Sequence, residues 1–440
     1  MRCRHGPAPE ATFPHRFIPQ GTRETRVATS TVFCVVGTRP EAIKMAPVVR
    51  ALRRRRNLTV RLLLTGQHRD LLHDALADFG LRGDLDLDLM RPDQGLSGLA
   101  ARILDGIDPV LATARPAMVL AQGDTTTVMA AAIACFHRRI PFGHVEAGLR
   151  TGDLGQPFPE EFNRIVAGRA ATLNFAPTEG ARLALLREGV APDSIHVTGN
   201  TVIDALLAVA RSRPPLPPGL PRNGRLALLT LHRRESFGAP AERVLQAVRR
   251  LCEAVPDLHV LYPVHPNPQV RDRAHALLGG HPQVTLAGPL RYPELVAALQ
   301  ACTLVLTDSG GLQEEAPALG KPVLVLREVT ERPEAVALGV ARLVGTDPDR
   351  ILAEATRLLV SPADHAAMAR GVSPYGDGRA ADRIAALVAA AVRPRPRPRR
   401  DRAAPPFHGS VPQPAAETAA SPAAQPSLPP AAFARGATAP

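Results

Sequence analysis

The chain has 440 residues, 45% of them hydrophobic, which is enough to build the cores of two ordinary domains, and no run of about 18 apolar residues predicts a membrane span. Its formal net charge is +12, but residues 393–440 contribute +5 and residues 1–29 contribute +3, so residues 30–392 carry only +4. This mildly basic body lacks a nucleic-acid recognition pattern, which argues against a nucleic-acid partner. The five cysteines are scattered without a CxxC pair, which argues against structural zinc and favours a reducing, cytoplasmic location.

The chain alternates short apolar strands with helices after a leader, residues 1–29, that we expect to be disordered. The first series of predicted strands covers 31–36, 60–65, 118–121, 141–145, 173–176 and 195–197. After a proline-rich linker at 214–221 the pattern restarts, with predicted strands at 226–231, 259–262, 284–286, 304–306 and 323–326. Strands that alternate with helices predict an α/β fold with two doubly wound, Rossmann-like parallel sheets and a cleft between them.

The predicted domain limits follow from this pattern. We expect a first Rossmann-like domain at 30–200, a second at 201–372, a last helical segment at 373–392, and a disordered tail rich in proline, alanine and arginine at 393–440.

The stretch 304–334 carries the clearest signal for a ligand. The apolar strand 304–306 is followed by Asp308, Ser309, Gly310 and Gly311, and then by a predicted helix. Glycines allow a tight turn, and the N–H groups and dipole at the start of a helix favour an anion, so a diphosphate suits this loop. The alternative is an ordinary turn between a strand and a helix.

Other polar side chains also follow predicted strands, where the ligands of open α/β sheets bind. The first half places Asp124, Glu146 and Glu160 there, and the second half places His232 and His265. Converging carboxylates raise one another's pKa, which suits acid–base catalysis near neutral pH. Two alternatives stay open: the carboxylates could hold a divalent metal, or they could form structural ion pairs with Arg39, Arg150 and Arg164.

Several motifs resemble the non-hydrolysing UDP-N-acetylglucosamine 2-epimerases over about residues 30–392. They are GTRPEAIKMAPVV (37–49), GDTTT (123–127), HVEAGLRTGD (144–153), FPEEFNR (158–164), HRRESFG (232–238), YPVHPNP (262–268), DSGGLQEEAPALGKPVLVLREVTERPEAV (308–336) and PYGDG (374–378). The resemblance implies a GT-B fold whose last helix, within 373–392, packs back on the first domain. It also implies a homodimer that interconverts UDP-GlcNAc and UDP-ManNAc for surface polysaccharide synthesis, with no cofactor and no metal.

The resemblance further implies site residues. The catalytic candidates are Asp124, Glu146, Glu160 and His232, and which carboxylate is the base and which the acid stays open. The nucleotide-sugar site comprises Arg39, Lys44, Leu290, Leu295, Ser309, Gly310, Gly311, Glu315 and Arg332. At Leu290 and Leu295 the chain departs from its relatives, so backbone contacts or apolar stacking would have to hold the uracil.

The resemblance also implies a second, activating substrate molecule at Gln67, Arg233 and His265. Asp70 and Asp93 depart from the side chains found in relatives, and a carboxylate repels a diphosphate, so we expect weakened substrate activation. Three other functions are considered: a hydrolysing epimerase, a GT-B glycosyltransferase, and a non-catalytic UDP-sugar sensor.

Overall fold

The computed structural model describes residues 29–66, 69–89, 91, 94–221, 223–233 and 237–392. The predicted tail, 393–440, and all of the predicted leader except Thr29 lie outside these ranges.

The first half of the described chain forms a parallel sheet of seven strands in the order β3-β2-β1-β4-β5-β6-β7. The strands are β1 Ser30–Val36, β2 Leu58–Leu64, β3 Leu85–Asp86, β4 Met118–Gln122, β5 Phe142–Val145, β6 Leu173–Ala176 and β7 Ile195–Val197. The helices are α1 Arg39–Arg53, α2 Arg69–Asp78, α3 Leu96–Ala114, α4 Thr126–Arg138, α5 Glu160–Ala170, α6 Glu179–Arg187 and α7 Thr201–Arg211. The strand order reverses between β1 and β4, which is where open α/β sheets form a ligand-binding crevice.

The second half forms a parallel sheet of six described strands in the order β10-β9-β8-β11-β12-β13, with its reversal between β8 and β11. The strands are β8 Arg225–Thr230, β9 Leu258–Pro263, β10 Val284–Ala287, β11 Leu304–Thr307, β12 Val323–Val325 and β13 Ala341–Leu343. The helices are α8 Ala239–Ala254, α9 Pro268–Leu278, α10 Tyr292–Ala301, α11 Gly310–Ala318, α12 Pro333–Ala337, α13 Pro348–Val360, α14 Pro362–Met368 and α15 Ala380–Ala391.

Both sheets are buried on their two faces, which explains why their central strands are continuous apolar runs. In β1, Val32 and Cys34 face one core cluster while Phe33 and Val35 face another. Helices cover both faces of a doubly wound sheet, so every position along such a strand is apolar. The prediction of two parallel α/β sheets is therefore confirmed.

Two edge strands, β3 and β13, were missed by the sequence analysis. Leu85 and Asp86 of β3 are both exposed, and Arg342 at the centre of β13 is exposed as well. An edge strand pairs on one side only, so its sequence need not show the apolar run of a central strand.

The last helix returns to the first half of the chain. Asp204 of α7 accepts hydrogen bonds from the backbone N–H groups of Ala380 (3.2 Å) and Ala381 (2.9 Å), at the start of α15. The Ser30 hydroxyl donates to the carbonyl of Val392 at 2.9 Å. The core cluster around α7 contains side chains from both sheets, so packing does not separate two domains at residue 200, and that boundary stays a prediction.

In the described part of the chain, no helix has both the length and the apolar character needed to cross a membrane.

Candidate active site

A cleft of about 280 Å³ lies at the carboxyl ends of the two sheets. The first half of the chain lines it with Thr38, Pro40, Glu41, Lys44, Gln122, Gly123, Asp124, Thr125, Glu146, Pro157, Glu160 and Arg164. The second half contributes Arg233, Gly310, Gly311, Glu331 and Arg332. Acidic side chains of the first half thus share one cavity with arginines and a glycine loop of the second half.

Glu146 follows β5 and forms an ion pair with Lys44 in the first half's wall of the cleft. Its two carboxylate oxygens accept hydrogen bonds from Lys44 Nζ at 2.9 and 2.6 Å, and Gln122 donates at 3.0 Å. Its backbone φ of +64° is unusual for a residue with a side chain, and such conformations cluster at functional sites.

The expected rise in carboxylate pKa is wrong for Glu146. Burial raises its pKa, but the charges of Lys44 and Arg332 more than offset that effect, so the pKa lies below its usual value. The nearest charged partners of this carboxylate are cations rather than other carboxylates, and cations stabilise its ionised form.

Asp124 follows β4 and forms an ion pair with Arg164 of α5. The same guanidinium lies 3.2 Å from Glu161, a buried carboxylate that also accepts the N–H groups of Thr151 and Gly152 at 3.0 and 3.1 Å. Glu160, at the start of α5, is half-buried and faces the cleft.

The glycine loop opens α11 as the sequence predicts. Ser309 caps the helix by accepting the N–H of Leu312. A Cβ added at Gly310 would lie 3.1 Å from Glu331 Oε1 and 3.3 Å from Arg233 Nη2, so a larger residue would require these two side chains to shift. The helix N-terminus thus faces the cleft without obstruction, and it is flanked by an arginine.

Glu331 holds the arginines around this loop in place. It accepts from Arg233 at 2.9 Å and from Arg327 at 2.6 Å. Burial raises the pKa of Glu331, but the charges of Arg332, Arg233 and Arg327 outweigh burial and lower it to about 2.

His232 follows β8, and a buried carboxylate fixes its ring. Nδ1 of His232 lies 2.9 Å from Asp308 Oδ1, and Asp308 Oδ2 accepts the backbone N–H groups of His232 and Arg233, both at 2.9 Å. Asp308 is fully buried at the end of β11. With Nδ1 occupied by this carboxylate, Nε2 is the ring nitrogen left for a substrate.

Behind the cleft, two glutamates of α11 have different partners. Glu314 accepts from Arg332 Nε and, at 2.6 Å, from Asn200 Nδ2. Glu315 accepts from the hydroxyl of Tyr292 at 2.7 Å, and burial raises its pKa to about 7 although that hydrogen bond lowers it.

Comparison with known proteins assigns the chain to a family. The family model described as "UDP-N-acetylglucosamine 2-epimerase" matches residues 50–389. The chain is 49% identical to the UDP-N-acetylglucosamine 2-epimerase of Escherichia coli K12 over 363 residues, which cover 80% of this chain and 96% of the relative. The chain belongs to the UDP-N-acetylglucosamine 2-epimerase family.

Solved structures of family members share its fold. The UDP-GlcNAc 2-epimerase of Neisseria meningitidis, whose structure is bound to UDP-GlcNAc, is 40% identical with a TM-score of 0.77, over 82% of this chain and all of that one. The putative epimerase of Listeria monocytogenes is 43% identical with a TM-score of 0.76, over 82% of this chain and 96% of that one. The two-sheet architecture is therefore of the GT-B type that the resemblance implied.

The structure brings about half of the family's implied site residues into the cleft lining. Those that line it are Lys44, Asp124, Glu146, Glu160, Gly310, Gly311, Arg332 and the possible second-site residue Arg233. Those that do not are Arg39, His232, His265, Leu290, Leu295, Ser309 and Glu315.

Four of these outlying residues, Arg39, Leu290, Leu295 and His265, contact other groups. Arg39 donates to the carbonyl of Leu290 at 2.6 Å, so this backbone oxygen already has a partner. Leu295 packs against the core. The ring of His265 contacts that of Phe237, and burial lowers the His265 pKa, as does the nearby charge of His232. Gln67, Asp93 and the side chain of Asp70 lie outside the described residues.

The alternatives left open by the sequence are partly settled. Asp124 does pair with Arg164, but Arg150 binds Glu188 at 2.6 Å, away from the candidate carboxylates. Within the described ranges, no group of three or more His, Cys, Asp or Glu side chains is arranged to hold a metal ion.

Four residues of the site escaped the sequence analysis: Glu41, Gln122, Asp308 and Glu331. Glu331 and Asp308 stand beside predicted site residues, and their roles as ion-pair partners could have been suspected from that proximity. Glu41 is only 2% exposed and accepts the N–H groups of Gly37 and Thr38, at 2.6 and 3.3 Å. The Thr-x-x-Glu capping-box pattern of residues 38–41 is the sequence signal that could have indicated the bond to Thr38.

Proposed function

We propose that the protein interconverts UDP-GlcNAc and UDP-ManNAc by inverting C2 of the sugar, without releasing the free sugar. The observation that carries the proposal is the cleft itself, in which the candidate carboxylates Asp124, Glu146 and Glu160 share one lining with the glycine loop and arginines of the second half. The relative from Methanocaldococcus jannaschii has been solved in complex with UDP-GlcNAc and UDP, which supports the same ligand class here.

The glycine loop and its neighbours are suited to the diphosphate. Ser309, Gly310 and Gly311 present the N-terminus of α11, and Arg233 and Arg332 line the same cavity. Backbone N–H groups and guanidinium forks stabilise a diphosphate most when its charge grows as a leaving group. We assign the uridine to Arg39, Glu315 and the loop that carries Leu290 and Leu295.

The chemistry requires loss of UDP together with loss of the C2 proton. No carbonyl group activates this C–H bond, so a free carbanion is too high in energy. One carboxylate takes the C2 proton, and the electron pair of the C2–H bond forms the C1–C2 double bond. The C1–O bond breaks at the same time, and its electron pair goes to UDP. The products in the cleft are 2-acetamidoglucal and UDP, and re-addition with protonation from the other face of C2 gives the epimer.

The structure offers residues for each part of this cycle. Asp124, Glu146 and Glu160 are the candidates for the base and the acid, and Lys44 and Arg332 hold Glu146 ionised. We assign to His232, whose Nδ1 lies 2.9 Å from Asp308 Oδ1, the stabilisation of the departing diphosphate through Nε2.

Incubation with UDP-GlcNAc alone in D2O tests the proposal. The expected result is deuterium at C2 of both UDP-sugars while the UDP-sugars persist. Release of free ManNAc with UDP would indicate a hydrolysing enzyme instead. Substrate that remains unlabelled at C2 would contradict the proposal, and it is the result expected of a glycosyltransferase lacking its acceptor or of a sensor.

Three further features are proposed with the activity. We expect a homodimer, measured by light scattering after size-exclusion chromatography. We expect a cytoplasmic location with a role in surface polysaccharide synthesis, and the free, buried Cys34, Cys135, Cys252 and Cys302 support a reducing compartment.

We also expect weakened activation by a second substrate molecule. Its proposed site includes Arg233, which lines the cleft, His265 and Gln67. The test is the rate of the reverse reaction from pure UDP-ManNAc with and without trace UDP-GlcNAc. A strong lag that the trace abolishes would show that activation is intact.

A further inference from the structure

We propose that Glu334 is a positioning residue that fastens the second half of the chain to the first through Thr178, and so keeps UDP and the glycal in the cleft between elimination and re-addition. The inference rests on the proposed function, because only a reaction with a dissociable intermediate needs such a fastening. Neither residue lines the cleft, and neither was assigned a role from the sequence.

The contact joins the N-cap of α6 in the first half to the first turn of α12 in the second half. The hydroxyl of Thr178 donates to Glu334 Oε1 at 3.0 Å, and it also accepts the N–H of Ala181 at 3.1 Å as the cap of α6. Thr178 is buried and Glu334 is half-buried. A hydroxyl with both its donor and acceptor functions used has a fixed orientation, so the contact constrains the loop that it holds.

A tyrosine near the chain's return to the first half supports the same carboxylate. The hydroxyl of Tyr375 donates to Glu334 Oε2 at 3.4 Å and accepts the N–H of Ala335 at 3.2 Å. The carbonyl of Tyr375 accepts the N–H of Asn200 at 2.6 Å. The segment near Asn200, where the chain leaves the first half, is thus bonded to the segment near Tyr375, where it returns. Tyr375 therefore joins Glu334 to the segment at which the chain returns to the first half.

Glu334 lies in the first turn of α12, two residues after Arg332, which stands on the loop between β12 and α12. Arg332 lines the cleft, pairs with Glu314, and lowers the pKa of Glu146 by its charge. A shift of this loop would therefore move a cation away from both the diphosphate and a catalytic carboxylate.

The sheet order shows why this contact closes the cleft. On the β10 side of the second sheet, the Leu290 carbonyl binds Arg39, and Arg291 pairs with Asp78. Glu334 follows β12, which lies on the opposite side of the central pair β8 and β11. Contacts at one side alone would leave a hinge free to open, whereas contacts at both sides hold the two strand-end surfaces together.

The experiment measures how often the intermediate escapes. Thr178→Val removes the hydroxyl with little change of shape, Thr178→Ser keeps it, and Glu334→Ala removes the carboxylate. For each protein, released UDP and 2-acetamidoglucal are quantified and divided by the number of C2 exchanges in D2O. This ratio does not depend on the fraction of enzyme that is folded, so a purely structural defect would not change it.

We expect Thr178→Val and Glu334→Ala to raise the escape ratio by about five-fold or more, and Thr178→Ser to stay near the wild-type ratio. Ser361→Ala is the matched control, because Ser361 caps the remote helix α14 and its loss removes a helix cap without touching the cleft. Unchanged escape in Thr178→Val would overturn the inference even if Glu334→Ala does not fold. Wild-type enzyme that exchanges no deuterium would instead refute the proposed function.

Discussion

Replacement of Glu41 by glutamine should make the protein's stability less sensitive to pH. Glu41 is 2% exposed, and burial raises its pKa from 4.5 to about 7 although hydrogen bonds, among them those from the N–H groups of Gly37 and Thr38, lower it. The folded-state pKa thus lies above the unfolded value. The stability contribution of this group is fully present below pH 4.5 and is lost as the pH rises through about 7.

The magnitude follows from the size of this pKa difference. A rise from 4.5 to about 7 corresponds to about 3 kcal/mol between the protonated and ionised forms, since one pKa unit is worth 1.36 kcal/mol. Integration over pH places about 2.5 kcal/mol of that loss between pH 5 and pH 8. Glutamine keeps an oxygen that can accept from Gly37 and Thr38 but cannot ionise, so Glu41→Gln should escape this loss.

The assay compares the free energy of unfolding of wild type and Glu41→Gln by urea titration at several values between pH 5 and pH 8. Other titrating groups, including the buried Glu315, are shared by both proteins and cancel in the difference. We expect the variant to gain about 2.5 kcal/mol relative to wild type over this interval. Glu253→Gln makes the same chemical change at an exposed side chain and serves as the control. A difference between wild type and Glu41→Gln that stays constant with pH would refute the reasoning.

Three further predictions concern the reaction. Asp124→Asn and Glu146→Gln should each lower turnover by at least ~100-fold, the scale of a lost general acid or base, while UDP affinity measured by calorimetry changes far less; near-normal turnover would reject that assignment. Asp308→Asn removes charge from the carboxylate beside the His232 imidazole, so if His232 acts as proposed, steady-state kinetics should show kcat falling by about ten-fold or more with little change in KM; a rise in KM alone would contradict this. Gly310→Ala places a Cβ 3.1 Å from Glu331 and should displace that carboxylate and the arginines bound to it. UDP affinity should then fall by about ten-fold; unchanged affinity would exclude close approach of the diphosphate to this loop.

The central part of the fold could be predicted from sequence because its strands have no solvent-facing side. Residues 304–306 of β11 are all apolar, and a glycine loop follows the strand. The edge strands β3 and β13 could not be predicted, because solvent accepts polar side chains on them and the two runs are only two and three residues long.

The site was predicted less completely because partners distant in the sequence determine its electrostatics. The position of Glu146 at a strand end could be predicted from the sequence, but the pairing with Lys44 joins residues 102 positions apart. The effect of that pairing reverses the expected direction of the Glu146 pKa. The sequence places candidate carboxylates near one another, which predicts repulsion. In the folded chain, Lys44 pairs with Glu146 and Arg164 pairs with Asp124.

The pairing of Glu146 with cations affects how proton loss at C2 and departure of UDP are linked. A carboxylate whose pKa lies below its usual value is a weak base, and alone it cannot remove a proton from an unactivated carbon. The driving force must then come from the C1–O bond, whose cleavage delivers negative charge to a diphosphate facing Arg233, Arg332 and the start of α11. The cations that weaken Glu146 as a base therefore also stabilise the leaving group, and Arg332 acts on both. If UDP binds as proposed, this shared guanidinium couples proton loss to UDP departure, and a shift of its loop should impair both steps together.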